Sequence, residues 1–146
     1  MNMLMGIGNP DRGDDGAGNR VAAIGEAPDW LVFDCGTAPE NFTGLVRKHK
    51  PRLLVLVDAA DMALPPGEFR IVSRGRIRDA GIGTHAMSLA DLMDYLDDCA
   101  EEILFIGIQP KSSNFGEDMS DEVSRAAHAV AELIRQNRIA EIERLD

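Results

Sequence analysis

The chain has 146 residues, with 15 basic and 25 acidic side chains and a formal net charge of −10; 45% of residues are hydrophobic and only 5% aromatic. That length fits one domain, residues 1–146, whose folding buries about two thirds of the unfolded chain's surface, so neither a disulfide nor a metal is needed as a staple. The apolar content excludes disorder, and the acidic balance argues against a nucleic-acid groove or an anionic membrane surface, both of which need concentrated Lys and Arg.

Residues 3–7 form a short apolar run ended by Gly8, Asn9 and Pro10, the pattern of a buried strand entering a loop. From 18 to 24 the pattern turns helical, with Val21, Ala22 and Ile24 apolar and Gly25 near the end. Residues 30–33 predict a second strand. Residues 40–49 predict a helix, with Phe42, Leu45 and Val46 at helical spacing and basic residues at its C-terminal end, stopped by Pro51. Residues 53–57 (Leu-Leu-Val-Leu-Val) are the most apolar stretch, as a strand covered on both faces requires, and belong at the sheet centre. Residues 65–67 make a turn, and 68–72 alternate like an edge strand with one wet face. Ser88 caps a helix over 88–96 whose apolar face is Leu89, Leu92, Met93 and Leu96; 103–106 is another buried strand; Ser120 caps a final helix over 121–138. Residues 61–67, 74–84 and 109–119 read as long loops. This order predicts an α/β fold, a three-layer αβα sandwich with a twisted, mostly parallel five-stranded sheet.

Cys35 and Cys99 lie far apart and in no Cys-x-x-Cys pattern, so reduced thiols in a reducing compartment are expected. The apolar start is too short for a signal peptide and lacks a basic n-region, and no apolar run approaches the roughly 18 residues of a membrane span. A cytoplasmic protein without membrane insertion is expected.

Ligands of open α/β sheets bind outside the carboxyl ends of the strands. The first predicted strand is followed by Asn9, Asp11, Asp14 and Asp15, the second by Asp34 and Thr37, the central one by Asp58 and Asp61, and the fifth by Gln109. His85 precedes the helix at Ser88 in a loop able to fold over the same edge. Carboxylates with one histidine suit a divalent metal such as zinc or nickel, or could orient and activate a water. The residues alone leave plainer readings open: Asp15 as a helix N-cap, Asp58 as a turn residue, and His85 as a structural or exposed histidine. His49 and His128 fall on amphipathic helices and carry no assigned role. The glycines around 6–18 do not cradle a nucleotide, because Asp11 stands where a Gly-x-Gly-x-x-Gly pattern needs its third glycine and no Gly-Lys-Ser/Thr follows. No histidine stands beside Cys35 in sequence, which argues against a catalytic thiol.

GIGNPDRGDDGAG (6–18), DCGTAPEN (34–41), LLVLVDAADM (53–62), PPGEFRI (65–71), Thr84-His85 and FIGIQP (105–110) together resemble the endopeptidases that mature NiFe hydrogenases, and most closely the branch acting on hydrogenase 3 and its energy-converting relatives. The motifs stand in the family's order over most of the chain. The resemblance implies removal of a C-terminal extension from the precursor of the hydrogenase large subunit after nickel insertion. It implies that Asp15, Asp58 and His85 are the metal-contacting and catalytic residues. It also implies that the nickel is carried by the substrate, so that the isolated enzyme can lack a metal, and that the enzyme acts as a monomer. A non-catalytic metal-binding or chaperone-like module docking on the same precursor is the alternative. Family members are sometimes grouped with aspartic peptidases, a grouping that the spacing of these acids does not itself establish. One departure is Cys35, which stands where the family often has the first of two glycines, and Cys disfavours a positive φ.

Overall fold

The structure, a computed structural model, describes residues 1–82 and 87–146. The described strands are β1 (Asn2–Gly6), β2 (Trp30–Asp34), β3 (Leu53–Ala59), β4 (Phe69–Val72), β5 (Glu102–Ile108) and β6 (Arg144–Leu145). The helices are α1 (Ala17–Ile24), α2 (Thr43–His49), α3 (Arg74–Ala80), α4 (Leu89–Tyr95) and α5 (Asp121–Arg135). The sheet runs β2-β1-β3-β5-β4-β6. Strands β2, β1, β3 and β5 are mutually parallel; β4 runs antiparallel to β5 and pairs in parallel with β6. This is the expected mostly parallel sheet, with a two-residue strand added beyond β4.

The run at β3 lies between β1 and β5, as its continuous apolarity requires. Successive side chains of a strand point to opposite faces, and β3 divides accordingly. Leu54 and Leu56 join one core with Met3, Met5, Val46, Ile77, Leu92 and Leu96, under α2, α3 and α4. Leu53, Val55 and Val57 join the other with Leu4, Val21, Val123, Val130 and Ile134, under α1 and α5. The helices thus form two layers around the sheet.

Two segments differ from expectation. Residues 74–80 are a helix rather than a loop. Ser73 caps α3 by accepting from the Arg76 N–H, Gly81 ends it at φ 67°, and Ile77 is its buried residue. With a single apolar contact the segment has no apolar periodicity to read. The predicted helix at 40–49 begins as a 3-10 turn, Pro39–Phe42, before α2. No described helix is long and apolar enough to cross a membrane.

Candidate active site

The parallel register brings the ends of four strands to one edge of the sheet. Gly6 lies beside both Asp34 and Val57, and Asp58 beside Gly107. Asp58 therefore lies one residue past the end of β1. The chain leaving β1 is tied down on both sides: the Ile7 N–H donates to Val57 O (2.8 Å) and the Gly8 N–H to Gly36 O (2.8 Å).

A 3-10 turn, Gly13–Gly16, follows and leads directly into α1. The first turn of α1 packs onto the sheet edge at Gly18. A Cβ there would lie 2.2 Å from Val57 O and 2.3 Å from Ile7 O, so only glycine permits the approach. This contact holds the 3-10 turn over the end of β3. The turn advances about three residues per revolution, so adjacent side chains diverge, and the two aspartates of the Gly13–Gly16 turn face different surroundings.

Asp14 points into the protein and is 1% exposed. Its Oδ2 accepts from Lys111 N (2.8 Å), Ser112 N (3.1 Å) and Ser120 Oγ (2.9 Å), and its Oδ1 from Ser120 N (2.7 Å). Burial by itself would raise its pKa, but these hydrogen bonds outweigh it and hold the carboxyl below the usual range. Asp14 is the pin between the 3-10 turn and the loop 111–120, a role invisible in a sequence where two identical acids stand side by side.

Asp15 faces the other way, partly buried, and its Oδ2 accepts from Asn9 N (3.2 Å). It does not cap α1, whose N-cap is Gly16 with no side-chain bond. Asp58 is partly buried at the end of β3. Its pKa is raised well above the ordinary value, first by burial and then by the negative charge of Asp15 nearby. The structure thus brings Asp15 and Asp58 together. His85 lies outside the described residues. Among those described, no three His, Cys, Asp or Glu side chains are close enough to hold a metal ion.

The other strand-end residues act on the framework. The Gln109 side chain is buried, accepts from Met62 N (2.6 Å) and Leu64 N (3.3 Å), and donates to Asp61 Oδ1 (3.2 Å). It thereby fastens the loop that leaves β3 just after Asp58. Asp61 also accepts from Ala63 N, and these bonds lower its pKa. Asp34 accepts from Asn19 Nδ2 (2.7 Å) and Gly36 N (3.1 Å), tying β2 to α1. The Cys35 thiol is buried, and burial, reinforced by Asp34, pushes its pKa up to about 12, which removes it as a nucleophile. The left-handed angle expected near Cys35 falls on Gly36 (φ 55°), so Cys35 carries no strain.

This is a parallel α/β fold whose carboxyl edge presents an interacting pair of carboxylates. Comparison with known proteins gives that class a family. Residues 18–137 match the HycI hydrogenase maturation proteases, a span that includes Asp58 and begins just after the turn carrying Asp15. The chain is 39% identical to the hydrogenase 3 maturation protease of Escherichia coli K12 over 132 residues, 88% of this chain and 85% of that one. It superposes on a crystal structure of a hydrogenase 3 maturation protease with a TM-score of 0.92 at 34% identity, covering 100% of this chain and 97% of the other. A NiFe hydrogenase maturation protease HycI from Thermococcus kodakarensis superposes with a TM-score of 0.83 at 33% identity, over 94% and 91% of the two chains. The chain belongs to the hydrogenase maturation protease family and is an endopeptidase.

Proposed function

We propose that this peptidase removes the C-terminal extension of a nickel-loaded NiFe hydrogenase large-subunit precursor, and that the precursor's nickel is its recognition element. Asp15, Asp58 and His85 are the residues assigned to meet that nickel. The observation that supports this reading is the pair of acids: Asp58 stands partly buried beside a second carboxylate, and burial together with the repulsion favours its protonated form. A divalent cation delivered between the two acids relieves that repulsion and favours both ionised forms. Oxygen donors with one imidazole suit nickel as a borderline ion.

In this reading the docked substrate places its scissile bond over the sheet edge. One of the two carboxylates takes a proton from a water as the water's oxygen attacks the peptide carbonyl. The same acid returns the proton to the departing amine as the C–N bond breaks. Either Asp15 or Asp58 serves as that base, because the docked cation favours the ionised form of both. The enzyme acts on its precursor as a monomer in the cytoplasm, and the metal leaves with the processed large subunit.

The test uses nickel-loaded precursor and single Asp15→Asn, Asp58→Asn and His85→Ala variants, with release of the C-terminal peptide followed by mass spectrometry. Loss of cleavage in each variant is the expected result, and undiminished cleavage in all three overturns the site. Equal cleavage of nickel-free precursor overturns nickel recognition. Precursor binding without any cleavage by the parent enzyme would leave the non-catalytic docking module instead.

A further inference from the structure

Two stretches of the chain that the reaction does not itself use meet beside Asp58: residues 60–64, which leave β3, and Gln109, the residue after β5. Leu54 and Leu56 of β3 enter the core under α2, α3 and α4, and alternation puts Asp58 on the same face. Asp58 pairs in register with Gly107 of β5, two residues on from Phe105, which enters that core too. Gly107 has no side chain, and its place is filled from elsewhere. A Cβ built there would lie 3.2 Å from Met62 Sδ and 3.1 Å from Ala60 Cβ, closer than ordinary contact. Adjacent strands stand about 4.8 Å apart. The thioether of Met62, a residue only 7% exposed, therefore flanks Asp58 where a side chain of β5 would otherwise stand.

Met62 is held in that seat through its backbone. Gln109 Oε1 accepts from Met62 N (2.6 Å) and Leu64 N (3.3 Å), which grips the chain on both sides of Ala63. Gln109 is itself fixed: its N–H donates to Glu68 O (2.8 Å) and its carbonyl accepts from Gly67 N (2.9 Å). Between the two gripped residues, Ala63 lies at φ 56°, in the left-handed region that a Cβ disfavours. Asp61 Oδ1 accepts from Ala63 N (3.1 Å) and adds to the grip. Strain of this kind persists only where the surroundings over-determine the backbone, and it gathers at functional sites.

We propose that Met62 and Gln109 are positioning residues for the peptidase reaction: Gln109 seats Met62 over Gly107, and the Met62 side chain fixes the place of the Asp58 side chain on that flank. The inference rests on the assignment of Asp58 to the site. A reacting group works only when packing and a supporting shell lock its place. Neither residue touches the substrate, and both act through Asp58.

Peptide release from nickel-loaded precursor is measured over a range of precursor concentrations for the parent, Met62→Ala, Gln109→Leu and the double variant. Each single variant should lower kcat by ~10-fold or more and leave KM within ~2-fold, because bond-making tolerates less displacement of a carboxylate than docking does. The double variant should fall no further than the worse single one, since both remove the same support. Met62→Leu refills the seat at nearly equal volume and should keep kcat within ~2-fold of the parent. Ile134→Ala, a comparable truncation in the other core at the end of α5, should lose stability and keep kcat, which separates position from stability. Met62→Val carries the test if Met62→Ala does not stay folded, with ~3-fold or more lost from kcat. A Met62→Ala kcat within ~2-fold of the parent, additive losses in the double variant, or an equal loss in Ile134→Ala would overturn the inference. Asp58→Asn is run beside them. Its inactivity next to a fully active Met62→Ala overturns this inference alone, whereas an active Asp58→Asn overturns the site and the inference together.

Discussion

Asp14 is the residue on which the position of Asp15 depends, and its replacement tests the account of the site. Four donors converge on its carboxylate: three backbone N–H groups, from Lys111, Ser112 and Ser120, and the Ser120 hydroxyl. Asp14→Ala strands all four. At about 1 kcal/mol net for each bond, the loss is about 4 kcal/mol, a large share of the 5–15 kcal/mol typical of a whole domain. Asp14→Asn with its carbonyl in the Oδ2 place keeps three neutral bonds but sets an NH2 group against Ser120 N–H, for a loss of about 2 kcal/mol. Urea unfolding at neutral pH measures both, read as a lowered midpoint at unchanged slope. The folded pKa of Asp14 is depressed, so its contribution is fully present above the unfolded value of about 3.9 and fades as pH falls through the folded pKa. The gap between parent and Asp14→Asn should therefore narrow below about pH 4. Peptide release should drop in both variants, because Asp15 occupies the same turn. An Asp14→Ala protein within about 1 kcal/mol of the parent would refute the pinning argument.

Asp58 carries the opposite sign. Its folded pKa is raised, so what its protonated form contributes is present below the unfolded pKa and lost as pH rises through the folded one. Asp58→Asn should abolish peptide release yet stabilise the fold at pH 7 by about 1–2 kcal/mol, measured by thermal or urea unfolding; a destabilised variant would contradict the pairing with Asp15. Gly18→Ala forces a methyl into Val57 O and Ile7 O and should cost about 3 kcal/mol or more, seen as loss of soluble folded protein; a stable, active Gly18→Ala variant would show that α1 does not seat as described. Arg74 of α3 bridges Asp94 of α4 and Asp97 just beyond that helix, but the cluster is largely exposed, so Arg74→Ala should cost less than about 1 kcal/mol at 0.15 M salt in urea unfolding. Raising the salt should shrink that cost further.

Hydrophobic periodicity was enough to specify the layers and the edge where chemistry collects. The apolar run at residues 53–57 could only be a strand covered on both faces, and the acids that follow the predicted strands could only lie at their carboxyl ends. The first follows from an unbroken apolar run and the second from where the predicted strands end, neither of which needs long-range information. Asp15 and Asp58 were legible as candidates on that ground. Ser73 and Gly81 were available as cap signals for α3, but its single buried contact left no apolar stripe between them. The two-residue β6 is too short to show any alternation, and only pairing with β4 defines it. The division of labour between Asp14 and Asp15 emerged only on folding. Identical side chains one residue apart differ only in what the turn aims them at: four donors from residues 111–120 in one case, the partly buried carboxyl of Asp58 in the other. The same holds for the pairing of those acids, because two charges 43 positions apart in sequence interact only once Gly18 lets a helix close against the end of β3.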